Sequence, residues 1–128
     1  MPDLGELEAV DRVEVVRIDL EGVLPWSDWT SVPGRTLGVV EGSAAATLAS
    51  QIVALPEGEQ MRCFVPRYGV RIWRSSDLLA EVALCFRCHN AITFVGGREG
   101  WFQFDAESDA GRELLSTLQR FDPEGGDG

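Results

Sequence analysis

Residues 61–104 read as a succession of short extended segments separated by breaks of only a few residues. MRCFV leads into the turn-like PRYG, then VRIW, AEVALCF, NAITFV and WFQF follow. A parallel pair needs a crossover of a dozen or more residues, so neighbours this close in sequence pair antiparallel. Gly96-Gly97, between NAITFV and WFQF, is a hairpin signal. Alternation within the segments puts Val82, Leu84 and Phe86 on one face, and Glu81, Ala83, Cys85 and Arg87 on the other. Ile92 and Phe94 are expected to point inward, with Phe102 and Phe104 in the same inward set.

The first half of the chain adds two strands and a helix. VEVVRIDL (13–20) alternates, with Val16, Ile18 and Leu20 on one face and Arg17 and Asp19 on the other. VLPWSDWTSVPG is a loop carrying Trp26 and Trp29, and a short strand follows over 35–40. Ser43 can cap a helix whose stripe is Ala45, Leu48, Ala49, Ile52 and Leu55, stopped by Pro56. A last helix is expected over about 107–121, with Leu114, Leu118 and Phe121 as its stripe and Gly111 allowing close approach to the sheet. The sum is one α+β domain over 12–121, an antiparallel β-sheet with two amphipathic helices packed on one face. The flanks, 1–11 and 122–128, read as a flexible acidic tail and a disordered tail.

Charge narrows the function classes. The 128 residues carry a net charge of −10, and all eleven cations are arginines. Without lysine there is no Schiff-base chemistry and no phosphate-loop lysine. The arginine-only, Ala/Gly/Val-rich composition points to a bacterial genome of high GC content. An acidic chain repels nucleic acid and anionic membranes, so the expected partner is a protein of neutral or basic charge. MPDLGELEAVDR has neither a basic nor an apolar leader region, which gives a cytoplasmic expectation.

The chemistry-bearing residues gather at CFRCHN, 85–90. Cys-x-x-Cys-His is the spacing of c-type haem attachment, but that needs an oxidising compartment and commonly a second axial ligand. His89 is the single histidine. A thioredoxin-like dithiol sets its first cysteine at a helix N-terminus, whereas Cys85 falls late in a strand. Zinc is a stronger alternative, with Cys85 and Cys88 as one knuckle-like pair and Cys63 as a third ligand. A fourth ligand would come from His89, Asp77 or water, although adjacent Cys88 and His89 diverge on a regular strand. The favoured reading is three ordinary cysteines in a covered sheet, reduced in a cytoplasm, with a structural disulfide less expected.

CFVPRYG (63–69), ALCFRCHN (83–90) and FDAES (104–108) ahead of GRELLSTLQRF resemble a family of small, largely uncharacterised bacterial proteins. These share a Cys-x-x-Pro-Arg segment, a Cys-Phe-x-Cys-Asn-like strand and a leucine-rich C-terminal helix. The resemblance spans about 61–121 and implies no activity. His89 stands where that pattern has asparagine, which implies that the imidazole is incidental.

No catalytic set is legible, so the reading leans away from an enzyme. Ser75-Ser76-Asp77 has turn composition, and the glycines at 96, 97 and 100 belong to a hairpin. A Cys63–His89 nucleophile pair requires the fold to join them. Arg62, Arg67, Arg71, Arg74 and Arg87 cluster in 26 residues of an otherwise acidic chain. Trp26 and Trp29, with Arg67, Arg71 and Trp73, form the candidate interface. The expectation is a non-catalytic binding or regulatory module without a cofactor; the alternative is a zinc- or thiol-dependent protein centred on Cys63, Cys85 and Cys88.

Overall fold

A computed structural model describes residues 4, 5, 7–23, 25–59 and 62–125. Among the described residues six strands form one antiparallel sheet, β1 (Arg12–Arg17), β2 (Arg35–Glu41), β3 (Tyr68–Arg74), β4 (Asp77–Cys85), β5 (Asn90–Val95) and β6 (Arg98–Gln103). Their order is β2-β1-β3-β4-β5-β6. Helices α1 (Ser43–Val53) and α2 (Asp109–Gln119) complete the α+β domain. Gly96 and Gly97 both take positive φ, 58° and 79°, the geometry of a tight β5–β6 hairpin that matches strand twist.

Both helices lie on one face, as expected. Ala45, Leu48, Ala49, Ile52 and Leu55 from the α1 region and Leu114 and Leu118 of α2 cover Val13, Val15, Tyr68, Val70, Ile72, Val82 and Leu84. Gly42, with φ 64°, holds the N-cap position of α1 in place of Ser43, which is the first helical residue. Ser108 caps α2 by accepting the Gly111 N–H. A Cβ on Gly111 would meet the carbonyls of Asp105 and Ala106, so its small size serves the turn leading into the helix and not a sheet contact.

The opposite face is also covered, and by a loop. Trp29 and Val32 pack there on Val16, Ile18, Ala83, Ile92 and Phe94. Ile92 and Phe94 therefore face the tryptophan loop, while Phe104 and the partly buried Phe102 face the helices. The expected common inward set is split because β5 is buried on both faces. Period-two alternation separates two sets of residues without saying which set meets the helices.

Residues 62–67 form no strand, although MRCFV is strand-like in composition; Met61 lies outside the described residues. Pro66 has no N–H to give a ladder, and the Cys63 carbonyl is taken by the Asn90 side-chain amide at 2.8 Å. Tyr68 and Gly69, expected in a turn, open β3.

The flanks carry more structure than their composition suggests. Leu4 and Val10, within the expected N-terminal tail, are buried against the helical side of the sheet. Asp122, the first residue of the expected C-terminal tail, is buried and ion-paired with Arg17. The Tyr68 hydroxyl donates to the same carboxylate at 2.8 Å, and Arg17 donates on to the Gly125 carbonyl at 2.8 Å. Residues 1–3, 6 and 126–128 lie outside the described residues.

Burial by itself would raise the Asp122 carboxyl, but hydrogen bonds from Tyr68, the Glu124 N–H and Arg17 outweigh it and hold the group below its ordinary 3.8. Burial, then the bond to Asp122, push the Tyr68 phenol up from 10.0 to about 12. A lowered acid stabilises the fold above its ordinary value and loses that contribution as pH falls through the lowered one. A raised phenol stabilises below its ordinary value and loses that contribution as pH rises through the raised one. Asp122→Asn is expected to cost about 3 kcal/mol at neutral pH, because it leaves Arg17 buried without its counter-charge. In urea titrations it should also shrink the loss of stability below pH 3.8, and Tyr68→Phe should shrink the loss between pH 10.0 and about 12.

Candidate functional site

Among its described residues the tryptophan loop has no regular strand of its own, so its attachment depends on side chains. Glu81 of β4 lies beneath it, 5% exposed. Its Oε1 accepts the Val32 N–H at 3.3 Å and the Arg71 Nε–H at 3.3 Å, and Arg71 donates to the Val32 carbonyl at 2.8 Å. One ion pair thus holds both polar groups of the Val32 backbone. Glu14 adds a second carboxylate 3.5 Å from Arg71. Gly69 permits the close docking, since a Cβ there would lie 2.9 Å from Val32 Cγ1 and 2.8 Å from the Val82 carbonyl. Burial pushes the Glu81 carboxyl up, and the Val32 N–H and Arg71 lower it only in part.

This anchor sorts the two loop tryptophans. Trp29 turns into the sheet and is 7% exposed, part of the core on that face. Trp26, in a 3-10 turn over Trp26–Asp28, stays outside at 44%. It meets Trp101 of β6 at 5.1 Å and Phe64 at 6.4 Å between ring centroids. Phe64 and Trp101 are 4.9 Å apart, and Phe64 reaches inward to Trp29 at 6.1 Å. All four contacts are edge-on, a favoured arrangement for aromatic pairs. Trp101 is 38% exposed, and its indole N–H donates to Glu99 at 3.2 Å.

Of the expected interface residues, then, Trp26 is on the exposed patch and Trp29 beneath it. Arg71 is half-buried in the Glu81 anchor, and Trp73 lies under the Arg12 guanidinium at 4.6 Å. Arg67 is exposed and lines an open cleft of about 450 Å³ with Arg17, Arg87, Val65, Asp19 and Glu21. Phe64 and Trp101 were not singled out from sequence. The signal for Trp101 was present, because Phe102 and Phe104 inward puts Trp101 on the other face.

The three cysteines behave differently from the expectation. Cys63 and Cys88 form a disulfide with Cα atoms 5.6 Å apart, and Cys85 is a buried free thiol. The less expected alternative is the one observed, and two of the three proposed zinc ligands are bonded to each other. The disulfide ties the irregular segment that carries Phe64 to the β4–β5 hairpin. Its Cys63 end is exposed and its Cys88 end buried.

His89 closes that hairpin with φ 56°, a left-handed conformation that histidine and asparagine enter more readily than most residues. Its Nδ1 accepts the Ala106 N–H at 3.1 Å. A neutral ring so bonded carries its proton on Nε2, which makes Nε2 a donor and not a metal ligand. Glu57, Glu59 and Asp105 share a cleft with it, but among the described residues no group of three or more His, Cys, Asp or Glu side chains could hold a metal ion. Ser75-Ser76 is the β3–β4 turn, as expected, and Asp77 begins β4.

No protein family, curated protein or solved structure matches the chain. Among the described residues, no helix is long and apolar enough to cross a membrane.

Glu81→Ala would leave the Arg71 guanidinium and the Val32 N–H without their shared acceptor. The expected cost is about 3 kcal/mol, with a red-shifted Trp29 emission as the loop loosens. Glu81→Gln, which keeps an acceptor oxygen, is expected to lose less. Chemical denaturation followed by tryptophan fluorescence measures both.

Proposed function

We propose that this chain is a non-catalytic protein-interaction module that recognises its partner through Trp26, Phe64 and Trp101. The observation that carries the reading is the exposed aromatic patch itself. Trp26 and Trp101 keep 44% and 38% of their surfaces in water, yet each ring is fixed by edge-on neighbours. Large aromatic groups held rigid before binding lose little conformational freedom on contact, which is why they dominate interface energetics. Exposed Val65 follows Phe64, and Arg67 and Arg87 line the adjoining cleft, giving the patch an apolar extension and a cationic rim.

The net charge of −10 favours a partner of neutral or basic overall charge. Such a partner presents an apolar anchor to the rings and a carboxylate to the arginine rim. Against catalysis stand two positive features. The basic nitrogen of His89 is taken by the Ala106 N–H, and Cys63 is held in a disulfide, so the conceivable Cys63–His89 nucleophile pair is not assembled. Because disulfides persist in oxidising surroundings, the clasped form meets its partner outside a strongly reducing cytoplasm, contrary to the expectation from the N-terminus. The zinc alternative has lost two thiolates to the disulfide; its thiol part retains a specific observation, developed below.

The test compares wild type with Trp26→Ala/Trp101→Ala and with Val39→Ala, an exposed apolar control on β2. Proteins retained from an extract of the source cell are identified by mass spectrometry, and the affinity of the enriched protein is then measured. Loss of an aromatic hot spot weakens binding by about 2 kcal/mol or more, roughly thirtyfold. The double tryptophan variant should show that loss while circular dichroism and a cooperative thermal melt verify that it is folded, and the control should bind as wild type. A partner that binds all three equally removes the patch from the reading.

A further inference from the structure

Cys85 lies in the core with no role in the interaction surface, yet it is placed beside the disulfide. Its Sγ accepts the Cys88 backbone N–H at 3.3 Å. Cys85 ends β4, and the hairpin turn brings Cys88 back over it within three residues. Cys88 is therefore bonded through its sulfur to Cys63 while its backbone N–H lies on the sulfur of Cys85. The pairing with Cys63 spans 25 residues, and the alternative spans three.

We propose that Cys63–Cys88 is an exchangeable clasp and that Cys85 is the thiol that exchanges. Cys85, buried in the folded chain, gives its proton to water as the hairpin turn opens and attacks Cys88 Sγ. A Cys85–Cys88 bond forms as the Cys63–Cys88 bond breaks. The electron pair leaves on Cys63, which lies at the surface and takes up a proton from water. One thiol and one disulfide enter, and one of each leaves, so no oxidant or reductant is consumed.

The consequence falls on the aromatic patch. Phe64 follows Cys63 directly, and it is the ring that touches Trp26, Trp29 and Trp101. With the clasp moved to Cys85, the segment before Pro66 keeps the Asn90 amide bond to the Cys63 carbonyl and the ring contacts, but no covalent tie. Phe64 is then held between the tryptophans by those contacts alone, and the patch loses the covalent restraint on its central ring. That this governs partner binding rests on the function proposed above; the exchange itself does not.

Trypsin cleavage after Arg62, Arg67, Arg74, Arg87 and Arg98 puts each cysteine on a separate peptide, because Arg87 divides Cys85 from Cys88. Folded protein is held without reductant at mildly alkaline pH, the ordinary condition for thiol–disulfide exchange. It is then alkylated with iodoacetamide and mapped by mass spectrometry. The expected result is a population with Cys63 alkylated and the Cys85 and Cys88 peptides joined, accompanied by a red shift in tryptophan emission. In Cys85→Ala the Cys63 label should stay at background, with the Cys63–Cys88 bond retained. Circular dichroism verifies that this variant is folded, and Cys85→Ser serves as a second replacement. A wild-type chain showing only Cys63–Cys88 overturns the exchange, as do three alkylated thiols in the protein before incubation. Exchange without any change in tryptophan emission overturns the link to the aromatic patch. All these readouts are made without a partner, so they fail or succeed independently of the proposed function.

Discussion

The second face of the sheet depends on one buried carboxylate. Glu81 and Arg71 grip the N–H and the C=O of Val32, and no regular strand or helix holds that part of the loop. A loop over a sheet has backbone groups that water cannot reach and no ladder to satisfy them, so it stays down only where side chains supply the partners. Here the ion pair does so, and Gly69 removes the Cβ that would hold Val32 off. Trp29 is buried as a consequence, and Phe64 packs on Trp29. The position of the exposed aromatic rings is thus set from beneath, by a charge pair that itself faces the core.

The ends of the chain obey the same logic. Arg17 and Asp122 are 105 residues apart, and each would be costly to bury alone. Together with Tyr68 they form an ion-paired and hydrogen-bonded cluster that holds the chain after α2 against β1 and β3. The surrounding EGGDG composition reads as a tail. Composition describes average solvation, whereas one well-placed partner decides a local outcome.

Much of the fold was legible in local patterns. Short breaks between extended segments required an antiparallel sheet, and the stripes Ala45, Leu48, Ala49, Ile52 and Leu114, Leu118 located both helices and their buried sides. What was not legible is anything that depends on pairing across long separations. Alternation in NAITFV could not say which side met helices, because β5 is buried on both. A bulge between Val15 and Val16 and another between Ile72 and Trp73 shift register in ways no residue pattern announces. The disulfide is the clearest case. Cys85-x-x-Cys88 draws attention to its own spacing, but the bond is made to Cys63, and only the path of residues 62–67 off the sheet brings that sulfur close.

The candidate site was half legible for a related reason. Residues with distinctive chemistry attract a functional reading, and here several serve the fold. His89 occupies a left-handed hairpin position and accepts a backbone N–H; Arg71 anchors a loop; Trp29 fills the space beneath it. The exposed aromatic patch is made instead of Trp26, Phe64 and Trp101, one ring from a turn, one from an irregular segment and one from a strand at the sheet edge. Three separate elements contribute one ring each, so no contiguous motif could encode the patch. Its shape depends on the Val32 anchor from below and the Cys63 link from the side. A surface with two such restraints can be ordered while exposed, and it can be disordered by releasing one restraint without unfolding the sheet. The covalent restraint is the one that chemistry can release, because its Cys63 end lies at the surface while the Glu81 end of the other is buried.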